Sequence, residues 1–312
     1  MEIAPLGTKM PSTLPKGTAY YVTTSDNKRI RVGVWKVAEN KLGTICLFPG
    51  RAEYIELMEP MITDFLTEGF SVIILDWRGQ GLSERLTHDT MLGHVGDFGE
   101  YQFDVDALIS LAGQLKLPRP RFMVSHSMGG CIGLRAINRG LKFNASAFLA
   151  PMWGIHLPQW QSMIAGPVAK GLCGLRLGQL YAPGHNSTPV IKRTPFEKNP
   201  FTTDRISFEY WLNQCKTLPN RQIGGPSISW LHAALKETAE LKSSTSPSIP
   251  ADIFLGDNDT TVSASEIQRR SEFWNRSKLH ILKGARHDLP MESPKFRRQI
   301  LTTITTNFAK LA

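Results

Sequence analysis

Apolar residues in this chain gather in short unbroken runs, each ending in a polar or glycine-containing exit. "TICLFPG" (44–50), "FSVIILDWRG" (70–79), "RFMVSHS" (121–127), "ASAFLAPM" (145–152), "ADIFLGDND" (251–259) and "KLHILKG" (278–284) have the length and composition of buried strands. Between them the period becomes helical. Residues 55–68 put Leu57, Met61, Ile62 and Phe65 on one face, and 97–115 bring Phe103, Leu108, Leu111 and Leu115 roughly into phase. Residues 128–139, 264–275 and 294–311 read as further helices. Ahead of these units, 19–24 and 29–37 are β-rich runs around "SDNK", a hairpin signal.

Strands alternating with helices predict an α/β fold, a mostly parallel central sheet flanked by helices. The alternation stops between residues 153 and 247, where Gly, Pro and Trp are frequent and no buried strand stands out. The polar stretch "KSSTSPSIP" (242–250) closes that interval. Residues 1–152 and 248–312 therefore read as one core. Residues 153–247 read as an insertion over the carboxyl edge of the sheet, where open α/β sheets bind ligands.

Charge adds a hint about partners. The net charge is +9, and residues 151–250 hold 10 Lys/Arg against 5 Asp/Glu, whereas residues 1–150 hold 16 against 15. A basic middle suits a lipid headgroup surface or an acidic substrate, or is simply a solvated face. No nucleic-acid partner is expected, because neither a nucleic-acid motif nor a dense basic stripe is present. The N-terminal stretch lacks the apolar run of a secretory signal. Pro151, Pro158 and Pro167 interrupt the longest uncharged stretch, between Lys142 and Lys170, which makes it a poor membrane span. Cys46, Cys131, Cys173 and Cys215 show no CxxC spacing and read as free thiols. The expected location is cytoplasmic, with peripheral contact at the inner face of an anionic membrane as an extension of that expectation. The oligomeric state is left open.

"VSHSMGG" (124–130) lies between a predicted strand and a predicted helix. A serine there, Ser127, is either a nucleophile on a strained turn or part of a connection that needed small residues. The G-x-S-x-G pattern is incomplete, since Ser125 stands at the first glycine. A helix starting at Met128 would aim its free N–H groups at the serine, where they can stabilise an oxyanion. A serine also needs a base, and "GARHDLPMES" (284–293) puts His287 just after a strand. "LGDNDTTV" (255–262) puts Asp257 and Asp259 after the preceding strand. Serine, carboxylate and histidine, each at the carboxyl end of a strand, are the parts of a serine hydrolase. That chemistry is complete with no cofactor and no metal. His94, His126 and His185 have no metal-ligand spacing, and Asp76, Arg78, Asp97, Tyr101 and Asp104 read as structural.

The motifs carry a resemblance. "FPGRAEYIE", "LDWRGQGLSER", "GHVGDFGEYQFDVDAL", "SHSMGG", "GDND" and "ARHDLPMES" stand in the order and spacing of the α/β-hydrolases, and most resemble the lysophospholipase and monoacylglycerol lipase group. "PGRAEYIE" and "RGQGLSER" resemble bacterial lysophospholipases of the L2 type. The resemblance spans most of 18–150 and 250–293. It implies an α/β-hydrolase fold with a helical cap (lid) at 153–247. It also implies Ser127 as nucleophile, His287 as general base and Asp259, at the G-x-x-D position, as the acid, with Asp257 as rival. The implied oxyanion donors are the backbone N–H groups of Arg51 and Met128. In relatives a His-Gly-X segment supplies the first donor; here Pro49 replaces that His. The Arg51 side chain either meets a phosphate or holds Glu53 or another loop carboxylate.

The implied function is hydrolysis of a lipid or small carboxylic ester through an acyl-serine intermediate. Lysophospholipid is the first substrate, and monoacylglycerol or a small ester is the alternative. An aminopeptidase of the same superfamily would need cap carboxylates to hold an amine; Glu197, Asp204, Glu209, Glu237 and Glu240 are candidates. A non-catalytic ligand-binding protein on a hydrolase scaffold is the alternative from another class. Trp153, Trp160, Met163, Ile164, Val168 and Leu172 could be cap core, an acyl pocket or a membrane-facing surface.

Overall fold

The buried runs pair side by side into one sheet, in the order β1-β2-β3-β5-β4-β6-β7-β8-β9. A computed structural model describes residues 1–7, 10, 12–37, 42–156 and 159–312, the side chains of 159–163 excepted. Strands β2 (Thr18–Thr23) and β3 (Arg29–Trp35) form the predicted hairpin. A short β1 (Glu2–Ala4), not foreseen in the apolar pattern, pairs with β2. β3 pairs antiparallel with β5 (Ser71–Asp76), and from β5 onward the sheet is parallel through β4 (Thr44–Phe48), β6 (Arg121–His126), β7 (Ala145–Leu149), β8 (Ala251–Gly256) and β9 (Ser277–Leu282). Strands β4, β5, β7 and β8 are buried along their whole length and β6 from Phe122 onward, as expected where helices cover both faces.

The helices follow the predicted order: α1 (Glu59–Thr67), α2 (Tyr101–Gln114), α3 (Met128–Asn138), α8 (Ala264–Glu272) and α9 (Pro294–Ala309). One helix face is corrected. α2 buries Tyr101, Gln102, Asp104, Val105, Leu108, Leu111 and Ala112, while Phe103 is exposed. The reason is Arg78, whose buried guanidinium draws Asp104 inward at 2.8 Å. Arg31 holds Asp76 and Glu56 in the same way, each at 2.7 Å and fully buried. The other oxygen of Asp76 accepts from the Ile55 N–H. These pairs lock the loops after β4 and β5 together, which confirms the structural reading of Asp76 and Arg78.

Residues 153–247 contain α4 (Gln159–Gly174), α5 (Val190–Arg193), α6 (Arg205–Thr217) and α7 (Ile228–Ser243), and no strand among the described residues. α7 lies against α3 and α4, and its Glu237 and Glu240 pair with Arg135 of α3. Trp153 packs with Phe148 and Trp274 in the main core. A second apolar cluster joins Ile191, Phe208 and Trp211 to Tyr54, Leu57 and Met291. It packs α5 and α6 on the loops after β4 and β9, over the carboxyl ends of the strands.

Candidate active site

Ser127 sits on the turn between β6 and α3 with φ 47° and ψ −115°, a conformation an L-residue adopts only when its surroundings impose it. The chain around it leaves no room for larger side chains. A Cβ on Gly129 would strike the Phe48 and Pro49 carbonyl oxygens, and one on Gly130 would lie 2.6 Å from the Pro151 Cβ. Ser125 is accommodated where a glycine is usual, because its hydroxyl donates to the Ala147 carbonyl of β7 at 3.3 Å.

His287 Nε2 lies 2.9 Å from Ser127 Oγ, and His287 Nδ1 lies 2.7 Å from Asp259 Oδ2. Asp259 Oδ1 accepts from the N–H groups of Thr261 and Val262 at 2.7 and 3.2 Å. Burial alone would raise the Asp259 carboxyl. The His287 ring and the two N–H groups outweigh it and hold the carboxyl below its ordinary value. The three predicted residues are thus brought together, from positions 127, 259 and 287. Asp257 is not; it is exposed and accepts from the Gly284 N–H at 2.6 Å. A Cβ on Gly256 would meet the Ala285 carbonyl, so the exit of β8 presses against the loop that carries His287.

The backbone N–H groups of Met128 and Arg51 have no acceptor within the protein among the described residues, and both residues line the same cavity as Ser127. That is the arrangement an oxyanion hole requires before substrate arrives. The Arg51 side chain does not hold Glu53. Its Nη2 donates to the Gly224 carbonyl at 2.6 Å, and it pairs with no carboxylate among the described residues. Glu53 accepts instead from the Gly50 N–H and from His126 Nδ1, the latter at 2.6 Å.

His126 is buried beneath the turn, with partners that its place in the sequence does not announce. Its Nε2 donates to the His287 carbonyl at 3.2 Å. Both ring nitrogens therefore face acceptors, the pattern of an imidazolium. Burial opposes that charge, but Glu53, Asp288 and the His287 carbonyl outweigh it and raise the His126 pKa to about 9. Burial and the neighbouring Glu53 push the Asp288 carboxyl well above the usual range. Glu53, His126 and Asp288 are the one group among the described residues close enough to hold a metal. His126 has no free lone pair to offer while both nitrogens donate, so the set fits an ion pair better than a metal. The adjacency of His287 and Asp288 was the only hint of this group in the sequence.

Residues 200–203 also grip the histidine loop. The Pro200 and Phe201 carbonyls accept from the His287 and Asp288 N–H groups at 3.3 and 2.7 Å, and Thr203 Oγ1 donates to Glu292 at 2.6 Å. Beside Ser127 lies a cavity of about 730 Å³ with a largely apolar wall that includes Met152, Ile155, Ile164, Val168, Leu172 and Leu231. Ile164, Val168 and Leu172 thus face the cavity, while Trp153 is core. The side chains of Trp160 and Met163 lie outside the described residues.

The model of the family described as serine aminopeptidase, S33, matches residues 39–294. The chain belongs to this hydrolase family. It is 27% identical over 274 residues to lysophospholipase L2 of Escherichia coli (strain K12), covering 85% of this chain and 79% of the relative. It is 24% identical over 262 residues to a probable lysophospholipase L2 of Haemophilus influenzae, covering 83% and 81%. Among solved structures, a soluble variant of monoglyceride lipase from Saccharomyces cerevisiae superposes with a TM-score of 0.75 at 18% identity, over 99% of both chains. The fold is that of the α/β-hydrolases. The chain is an ester hydrolase of this family.

Proposed function

We propose that this protein is a lysophospholipase that releases the fatty acid from a single-chain phospholipid through an acyl-serine intermediate. Ser127 attacks the ester carbonyl, and His287 Nε2 takes its proton and returns it to the leaving alcohol. Asp259 orients His287 and stabilises the imidazolium while remaining ionised. The Met128 and Arg51 N–H groups receive the oxyanion, and water with His287 as base then frees the acid. The observation that carries this reading is the Ser127–His287–Asp259 relay opening onto an apolar cavity roofed by residues 153–247, which we read as the cap.

An aminopeptidase reading, which the family description raises, finds less support. Glu197 pairs with Arg205, Asp204 caps α6, Glu237 and Glu240 pair with Arg135, and Glu209 is exposed. None of the five lines the cavity, so none stands ready to hold a substrate amine. A monoacylglycerol offers the same acyl chain and ester, and the apolar wall favours it equally.

The test is fatty-acid release from lysophosphatidylcholine and from monoacylglycerol of one chain length, with Ser127→Ala as control. Faster serine-dependent release from the phospholipid is the expected result. Faster release from the glyceride would replace this substrate by the alternative, and activity retained by Ser127→Ala would overturn the mechanism.

We also infer peripheral contact with an anionic membrane on its cytoplasmic face. Leu175 and Leu180, just after α4, are exposed at 71% and 54%, beside the cationic Lys170 and Arg176. The free thiols of Cys46, Cys131, Cys173 and Cys215 suit a reducing compartment. No helix among the described residues is long and apolar enough to cross a membrane.

A further inference from the structure

We propose that Arg51, His185 and Arg193 form an anion subsite in the cap-side wall of the cavity, which takes the phosphate of a single-chain phospholipid headgroup. The proposal rests on the lysophospholipase reading for the identity of the ligand, but the subsite itself is argued from the side chains.

Buried arginines in this chain otherwise have evident structural work. Arg31 pairs with Glu56 and Asp76, and Arg78 pairs with Asp104 and Asp26. Arg85 and Arg270 lack carboxylates, but they donate to the carbonyls of Asn220, Gln222 and Leu241, and neither lines the cavity. Arg51 shares that carbonyl bonding, through Nη2 to Gly224, but it alone of these lines the cavity with Ser127. Its Nε is buried with no acceptor among the described residues. Burial without a counter-ion lowers the guanidinium pKa to about 10, so it stays charged near neutral pH. A buried cation with unsatisfied donors is costly unless something answers it.

The side chain is also held in place. A Cβ at Gly93 would collide with the guanidinium, which lies 5.4 Å from the Trp230 ring centre. Gly93 is itself bridged to Pro226, and its N–H donates to Gly225 at 3.0 Å, so Gly224 and its carbonyl are anchored. Preorganised in this way, the planar donors lose little freedom on meeting a phosphate, with which they can pair bidentately.

Two further groups come from the cap. Arg193 Nη2 lies 3.3 Å from His185 Nδ1, both residues line the same cavity, and Arg193 makes no ion pair among the described residues. Burial, Arg51 and Arg193 together lower the His185 pKa, which places His185 in the field of both guanidiniums. The carboxylates on the cavity wall are Glu53 and Asp288, and both belong to the His126 group beneath the nucleophile. The cap side is therefore left positive. A lysophospholipid carries its phosphate a glycerol unit away from the ester. Arg51 joins the two ends of that span, with its backbone N–H at the oxyanion and its guanidinium at the headgroup.

The test uses Ser127→Ala protein, so that binding is read apart from turnover. It is titrated with dodecyl phosphate below its micellar concentration and with uncharged 1-O-dodecylglycerol, by calorimetry. We expect the phosphate to bind more tightly. We expect Arg51→Gln to reduce the preference for phosphate over glycerol ether about tenfold or more, and Arg193→Ala to reduce it in the same direction. A preference unchanged within twofold in both variants would overturn the subsite, and so would equal weakening of both ligands, which would mark Arg51 as a cap support only. Arg193 is exposed, so its variant stays informative if Arg51→Gln fails to fold. Competition by inorganic phosphate at millimolar concentration would assign the site to the bare anion. Its failure to compete would assign the site to the headgroup on its chain; either result keeps the subsite. If this preference holds while wild-type protein releases no fatty acid from lysophosphatidylcholine, the subsite stands and the substrate assignment falls. If release is rapid and the preference is absent, the reverse applies.

Discussion

At the residue scale, the site turns on which carboxylate meets His287. Asp259 receives the ring N–H and two backbone N–H groups, while Asp257 faces water. Asp259→Asn keeps the shape but offers an amide where a carboxylate stabilised the imidazolium. We expect kcat to fall by about 10³–10⁴-fold with little change in melting temperature. Asp257→Asn should stay within a few-fold of wild type. Steady-state hydrolysis of one lysophospholipid by the two variants separates them, and the opposite order would reassign the acid. Both positions follow β8 at spacings a sequence reading accepts. In the fold, Asp259 reaches the ring and Asp257 bonds the Gly284 N–H instead.

At the scale of elements, β6, its turn and α3 act as a unit. The turn holds Ser127 at positive φ because β4 lies directly behind it, with the Phe48 and Pro49 carbonyls against Gly129. Gly129→Ala would push a methyl group into backbone that cannot rotate away. We expect a loss of about 1–3 kcal/mol in stability, read as a lower melting temperature, together with a fall in kcat as the turn shifts. An unchanged melt and rate would show that α3 can move without cost. The strand–turn–helix pattern was legible in "VSHSMGG" because strand and helix periods are local properties. The inward face of α2 was not. Phe103 fitted the apolar phase, but the Arg78–Asp104 pair, made by residues 26 positions apart, rotated Asp104 into the core instead.

At the scale of the whole molecule, three distant segments converge under the nucleophile: Glu53 after β4, His126 at the end of β6, and Asp288 beside His287. The His126 pKa lies above the ordinary 6.5, at about 9, so the folded protein holds that proton more tightly than the unfolded chain. The resulting stabilisation is fully present below about pH 6.5 and is lost as pH rises through about 9. The raised Asp288 carboxyl acts in the same direction from a lower starting pH. We expect the melting temperature to decline between pH 7 and 9.5, and less steeply in His126→Gln, which should itself melt lower at pH 7 because Glu53 loses its ion partner. Parallel slopes would show that His126 does not carry the charge. The inferred membrane contact belongs to this scale as well. Leu175→Asp with Leu180→Asp should reduce co-sedimentation with phosphatidylglycerol vesicles and leave uncharged vesicles unaffected; equal binding by wild type and variant would remove the contact.

The sequence alone determined the order of strands and helices and the residue types at the strand exits. Each follows from periodicity over a few residues, or from a side chain's place just after a buried run. It left open which Asp the histidine takes, what Arg51 holds, and that a Glu–His pair supports the histidine loop. Those were decided only when β4, β6, β8 and residues 153–247 came within hydrogen-bonding distance, for positions 28 to 173 residues apart have no local pattern to announce their contact. Burial then changed the chemistry of the groups that met. It left Arg51 charged with unanswered donors, and it made the pair of Glu53 and His126 an internal support for the loop that carries His287.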